Sequence, residues 1–180
     1  MTCHLARWLI GSLSRPSVTL SSSSIAPTPS MPRRLLLSSP EMSVRHLELR
    51  VATRGDGHVH DLTDGVAKSV RTTGISDGIV TVFVPGSTAA ITTIEYEPGL
   101  LEDFPAAMER FAPRTLRYAH DETWHDGNGH AHVRASAIGP SLTVPVAAGK
   151  MVLGTWQQIV LIDFDNRARQ RLVVVTVIGD

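Results

Sequence analysis

The sequence predicts an α+β fold: a compact single domain of mainly antiparallel β-sheets with two helices. Three observations carry that expectation. From Val44 onward most segments are β-branched and follow strand periodicity, while only two stretches show helical spacing. Both helical stretches lie before residue 115, and the rest of the chain reads as strand, so helices do not alternate with strands as a doubly wound sheet requires. A chain of 180 residues with 42% apolar and 19% charged residues has the size and composition of one soluble domain with a real core.

Taken in order, "VRHLELRV" sets Val44, His46, Glu48 and Arg50 against Arg45, Leu47, Leu49 and Val51, a period-two strand with one mostly apolar face. Gly55-Asp56-Gly57 reads as a hairpin turn. "DLTDGVAKSVRTTG" is a helix with Asp61 or Thr63 as cap, Leu62, Val66 and Val70 at i+4 spacing, and Gly74 as its stop. "GIVTVFVPG" is a buried central strand ending at Pro85-Gly86. "EPGLLEDFPAAMERFAP" is the second helix, with Leu100, Phe104, Ala107, Met108 and Phe111 on one face; Pro105 should kink or restart it. "HAHVRASAI", "SLTVPV", "KMVLGTWQQIVLIDF" and "RLVVVTVIG" then read as strands.

Composition excludes several function classes. The formal charge is zero, which gives no support to a nucleic-acid surface. Cys3 is the lone cysteine, so there is no disulfide framework and no thiolate zinc cluster; a metal would have to use His, Asp or Glu. The longest apolar runs are too short to span a bilayer. Residues 1–40 hold four arginines, ten serines and no acid, so that residues 41–180 carry a net charge of −4. Such a leader has the composition of an organellar transit peptide, or marks a start codon placed upstream of Met31 or Met42. Residues 1–42 are therefore expected as a disordered leader and residues 43–180 as the domain.

The densest chemistry lies in "WHDGNGHAHVRAS", residues 124–136. With His120 it gathers four of the chain's eight histidines within thirteen positions. Read as a strand, "HAHVRAS" puts His130, His132, Arg134 and Ser136 on one face, an expensive group to bury without a ligand. His130 and His132 then resemble a His-x-His metal chelate, with His125 returned by the Gly127-Asn128-Gly129 turn as a third imidazole. The competing reading is a solvated polar strand. His58 and His60 in "HVH" also share a face but lack the glycine turn and the arginine. Gly86-Ser87-Thr88 offers amides and hydroxyls suited to a phosphate oxygen, or is a plain turn between strands. Glu95 and Glu97 offer a carboxylate ligand or base, or are exposed charges.

Four segments, "DGIVTVFVPGSTAAITTIEYEPGLLEDF", "YAHDETWHDGNGHAHVRAS", "GPSLTVPV" and "LGTWQQIVLIDFDNRARQRLVVVTVIG", together closely resemble the YjbQ-like family, described as secondary thiamine-phosphate synthases. The resemblance runs from about Val44 to the C-terminus. It implies a compact β-rich α+β fold, a homotrimer, and pockets near subunit interfaces that bind metal or anions through histidines. The family histidine of "Y-x-H" falls on His120 and that of "A-H" on His132. Where many relatives have His-Thr-Thr or His-Thr-Ser, this chain has Gly86-Ser87-Thr88, leaving His125 and His130 as replacement imidazoles.

The implied reaction joins hydroxymethylpyrimidine diphosphate to thiazole phosphate and releases pyrophosphate. Candidate catalytic residues are His120, Arg134 and Glu95; Ser87, Thr88, Asp126 and Asn128 would bind substrate or anion; His125, His130 and His132 would bind a metal. The cofactor expected is a divalent metal, zinc, or magnesium with a diphosphate substrate. The rival class is a non-enzymatic trimer binding a metal or a small phosphorylated metabolite. Neither nucleic acid nor membrane is an expected partner. The expected location is cytoplasmic, or organellar if residues 1–40 are a transit peptide.

Overall fold

A computed structural model describes residues 41–180, and the leader expected over residues 1–42 falls almost wholly outside them. The elements in chain order are β1 (Ser43–Thr53), β2 (His58–Asp61), α1 (Thr63–Thr73), β3 (Gly78–Phe83), β4 (Ala89–Ile94), α2 (Pro98–Phe111), α3 (Ala119–Trp124), α4 (Gly129–Ile138), β5 (Ser141–Ala147), β6 (Lys150–Met151), β7 (Gln158–Asp163) and β8 (Arg169–Gly179). The α+β class and the antiparallel sheets are as the sequence predicts.

Two sheets form. The larger has the order β1-β8-β3-β5-β6, with β1 and β8 antiparallel from Ser43↔Gly179 to Thr53↔Arg169. The smaller has the order β2-β7-β4, with β7 antiparallel to both neighbours. Strand alternation builds two cores. Val173, Val175 and Val177 of β8, with Val80 and Val82 of β3, meet Ile159 and Leu161 of β7 and the Val66 and Val70 face of α1. The other side of β7, Val160 and Ile162, packs with Phe164 against Ala131 and Ala135 of α4 and Leu101, Phe104 and Met108 of α2. A strand apolar on both faces is what a layered position demands. Each of these fully buried side chains contributes about 1.5–3 kcal/mol of transfer free energy.

Three sequence expectations need correction. "HAHVRASAI" is the helix α4, so the described residues hold four helices rather than two. Its alanines satisfy both periods, but Ala131, Ala135 and Ile138 at i, i+4 and i+7 face the small sheet, while Val133, which the strand reading would bury, is 42% exposed. "KMVLGTWQQIVLIDF" is not one strand: β6 ends at Met151 in the large sheet and β7 begins at Gln158 in the small one. "AAITTI" forms β4, absent from the order read in the sequence.

Local punctuation otherwise holds. Gly55, Asp56 and Gly57 all have positive φ (77°, 55° and 78°), making the β1–β2 turn. Leu62 occupies the N-cap of α1, yet Asp61 does the capping chemistry from one position earlier, accepting from Thr63 N at 2.8 Å and Thr63 Oγ1 at 2.6 Å. Glu97 accepts from the amides of Gly99 and Leu100 at the start of α2, which explains that carboxylate as a cap. The helix runs on through Pro105 to Phe111 without restarting.

Candidate functional site

The histidine stretch folds as helix, turn, helix. α3 ends at His125 in the left-handed region (φ 57°), and Gly127 (φ 66°) lets the chain reverse. Gly129 then starts α4 so close to Tyr118 that a Cβ there would lie 2.4 Å from the Tyr118 Cβ. Asp121 Oδ1 accepts from the Gly129 amide at 2.8 Å and locks the two helices together. Asn166, on the turn between β7 and β8, donates to the Asp126 carbonyl at 2.7 Å and fixes the helical turn to the sheet. The glycines thus serve this reversal, which brings selected imidazoles together.

His120 of α3 and His132 of α4 are the pair it assembles, with ring centroids 4.1 Å apart and planes tilted by 42°. Asp126 Oδ1 lies 3.7 Å from His120 Nε2. Hydrogen-bond chemistry turns the buried Asn128 amide so that its nitrogen meets both Asp126 oxygens, at 3.0 and 3.2 Å, and His120 Nε2 at 3.3 Å. Burial holds the His132 imidazole below its ordinary value of about 6.5, and the neighbouring His120 adds to that; Asp126, Asp165 and Asp121 oppose it. His132 and Ser136 are four residues apart on one helix face, and Ser136 lines a small cavity of about 150 Å3 with Gly86 and Ser87. The result is an imidazole pair with an amide and a carboxylate; the cleft with its two hydroxyls is lined by neither imidazole.

Other expected site residues are elsewhere. Arg134 is 2% exposed; its Nε and Nη2 donate to Ala112 O (3.0 and 2.7 Å) and Nη2 to Glu109 (2.5 Å), so it bolts α4 to the end of α2. His130 sits on that same face, 3% exposed, beside Tyr118, and its Nε2 has no hydrogen-bond partner among the described residues. Burial, then Arg134 and Arg114, depress its basicity. Two residues apart on a helix means about 200° of rotation, so His130 and His132 do not share a face and the His-x-His chelate does not form. His125 is exposed at the cap of α3, and Glu95 is exposed after β4. Thr88 is buried, its hydroxyl held by Asp165 and Arg171, which leaves Ser87 as the free hydroxyl of that loop.

Residues that sequence reasoning passed over complete the site's base. Asp163 and Asp165, at the end of β7, are 0% and 1% exposed. Arg171 clamps both oxygens of Asp163 (2.8 and 2.5 Å), and Thr53 donates to the same carboxylate. Asp165 accepts from Thr88 at 3.1 Å and Arg169 at 2.8 Å, while its Oδ1 is buried without a partner. Burial alone would raise its pKa; the Arg169 and Thr88 hydrogen bonds outweigh this and hold it below the usual range. The signal was "IDFDNRAR", two acids at strand spacing within an apolar run, where charges need partners.

Imidazole and carboxylate are suitable donors for a divalent ion. Yet among the described residues no three His, Cys, Asp or Glu side chains are grouped so as to hold one, and His125, His130 and His132 point apart. The single chain does not fit the expected metal centre. What the imidazole pair can do is donate hydrogen bonds to an anion. No helix among the described residues is long and apolar enough to cross a membrane.

Comparison with known proteins agrees with this architecture. The family model described as UPF0047 protein YjbQ-like matches residues 47–180. A UPF0047 protein of Archaeoglobus fulgidus is 39% identical over 128 residues, covering 71% of this chain and 98% of that protein. A UPF0047 protein of Mycobacterium bovis is 41% identical over 113 residues, covering 63% of this chain and 85% of its own length. The crystal structure of a YbjQ-like protein of unknown function from Sulfolobus solfataricus P2 superposes with a TM-score of 0.74 at 36% identity, covering 78% of this chain and all of that one. A YjbQ/UPF0047 protein of Clostridium acetobutylicum gives 0.67, also at 36% identity, over 73% of this chain and 98% of its own. The chain, two helix-borne histidines and all, belongs to the YjbQ-like UPF0047 family.

Proposed function

We propose that the chain is a transferase of the secondary thiamine-phosphate synthase type, acting in the cytoplasm on hydroxymethylpyrimidine diphosphate and thiazole phosphate. The observation that carries this reading is the contact between His120 and His132, flanked by the Asn128 amide and the Asp126 carboxylate. The thiazole nitrogen already holds the lone pair that attacks the pyrimidine methylene, so no base has to remove a proton from it. The methylene C–O bond breaks and its electron pair leaves with the diphosphate. Charge therefore accumulates on the leaving group, and donors aimed at it lower the barrier. On this reading the two imidazoles supply those donors. Arg134 takes no part, because its guanidinium is spent on Ala112 and Glu109. No step needs a metal held by one chain alone.

A second reading, a non-enzymatic protein that binds a small phosphorylated metabolite, rests on the same histidine pair: with the Arg134 guanidinium bonded to Ala112 and Glu109, the imidazoles suit holding an anion better than stabilising a departing diphosphate. Pyrophosphate release from the two substrates, followed by phosphorus NMR, separates the two readings. His120→Ala and His132→Ala should each lower kcat by ~10²-fold or more, a common scale for a positioned acid–base or charge-stabilising group. Wild-type turnover in both variants would move the reaction away from the histidine pair, and no turnover by the wild type would overturn the transferase reading; binding of inorganic pyrophosphate without any turnover would leave the second.

We also propose a homotrimer. Supporting it is a solvent-facing apolar row on the large sheet, where Val44, Ile178, Ile79 and Pro145 lie side by side in register.

A further inference from the structure

We propose that the cavity beneath the β1–β2 turn is a second binding site, separate from the histidine pair, for a small ring-bearing metabolite carrying a phosphate or carboxylate group. The proposal stands on its own side chains and not on the transferase reading. The cavity measures about 480 Å3, within the size range of small-molecule sites and about three times the cleft at Ser87. It is bounded by Arg54 and His58 of the turn, by Tyr96, and by the apolar side chains of Val59 and Leu101. None of α3 or α4 lines it, so it does not open on His120 or His132.

The backbone of the turn is already committed. Asp56 N donates to Asp165 O at 2.7 Å, Gly57 N to Asp163 O at 2.8 Å and His58 N to Gly55 O at 2.9 Å. Gly55 is pressed so close to the β7–β8 turn that a Cβ there would lie 2.5 Å from the Asp165 carbonyl oxygen. The Asp56, Gly57 and His58 amides are thus spent on a rigid frame, and recognition falls mainly to side chains.

Those side chains are donors. The Asp56 carboxylate on the rim is taken by Arg114 at 2.7 Å. The Arg54 guanidinium has no hydrogen-bond or ion-pair partner among the described residues. His58 Nδ1 accepts the Arg54 amide at 3.2 Å, which in the neutral ring puts the proton on Nε2 and makes that nitrogen a donor. Burial, and after it Arg54, lower the His58 pKa, which favours the neutral ring whose tautomer this bond sets. The Tyr96 hydroxyl is held only by a long 3.5 Å contact to Val59 O. A planar fork, an imidazole N–H and a phenol around an apolar floor match an anionic head on a flat apolar body. A cation would find no uncommitted carboxylate here.

Phenyl phosphate, benzoate and inorganic phosphate, titrated into the full chain by calorimetry, test this. Phenyl phosphate or benzoate should bind, and more tightly than inorganic phosphate, because the ring lies on Val59 and Leu101. Arg54→Gln should weaken that binding about tenfold or more, since it removes a charge-assisted pair, while leaving the melting temperature unchanged, because Arg54 is exposed. Tyr96→Phe should weaken it less, and His132→Ala should leave it intact. Whichever of the two ring anions depends on Arg54 names the head group. Equal binding by Arg54→Gln and wild type overturns the proposal, as does no binding of any probe at millimolar concentration. Binding that disappears with His132→Ala but survives Arg54→Gln also overturns it, and assigns the anion to the histidine pair instead.

Discussion

Arg171 holds both carboxylate oxygens of Asp163, at 2.8 Å from Nε and 2.5 Å from Nη2, and the carboxylate is fully buried. The same guanidinium reaches Thr88 at 2.8 Å, so one residue of β8 orders the end of β7 and the loop before β4. Removing it strands a buried charge. Arg171→Ala should cost about 3–5 kcal/mol in urea denaturation, the range for breaking a buried ion pair from one side. A loss below about 1 kcal/mol would show that water replaces the guanidinium without difficulty.

Arg134 separates a structural arginine from a catalytic one. Its bonds to Ala112 O and Glu109 fix α4 against the end of α2, and Glu109 reaches on to Arg114 at 3.5 Å. Arg134→Met keeps the length of the buried stem and loses the hydrogen bonds. The expected cost is about 2–3 kcal/mol in stability, with kcat per folded molecule within about twofold of wild type. A kcat loss of the size expected for His132→Ala, with stability retained, would return Arg134 to the catalytic role its place in the sequence suggested.

Acid stability follows from the depressed histidines. His130 and His132 have folded pKa values below their ordinary 6.5, chiefly through burial, so between those values the unfolded chain binds more protons than the folded one. Stability is then full above ~6.5 and falls as pH drops through the folded values. Asp165, lowered by Arg169 and Thr88, adds a second loss only at lower pH, below the ordinary carboxylate range. His130→Phe removes a buried nitrogen without a partner and should flatten the change in melting temperature between pH 7 and 5. An unchanged slope in that variant assigns the acid sensitivity elsewhere.

The sequence made β1, β3, β5 and β8, the two capped helices and the β1–β2 turn legible because each has a single dominant signal: β-branched alternation, a cap with i+4 spacing, or glycine at positive φ. "HAHVRASAI" has no such signal. Alanine suits either period there, and only the contacts of Ala131, Ala135 and Ile138 with the small sheet decide for a helix. That one misreading scattered the site, since a helix sends His130 and Arg134 inward and His132 toward His120. The pairing of His120 with His132 was legible as motif positions, but not as geometry, because it depends on the reversal at Gly127. The Asp163–Arg171 clamp lies eight residues apart along the chain and joins adjacent elements only through the β7–β8 turn.

The outer face of the large sheet carries the last prediction. On β1 and β3, Val44 is 49% exposed, Ile79 41% and Phe83 39%. Between the apolar rows, Thr81 and Thr143 share a hydrogen bond at 2.9 Å and His46 meets Thr176 at 3.0 Å, so these four polar side chains are satisfied within the sheet. The part of the face around Val44, Ile79 and Phe83, with those polar groups paired and its apolar groups exposed, loses little on desolvation and gains from burial. The proposed trimer would use it. Light scattering at micromolar concentration should report three chains per particle. Ile79→Lys with Phe83→Lys should reduce that to one, because two charges then meet an apolar surface, while far-ultraviolet circular dichroism stays unchanged since neither side chain enters a core. A wild-type monomer overturns the assembly, and a double variant that remains trimeric moves the interface to another face.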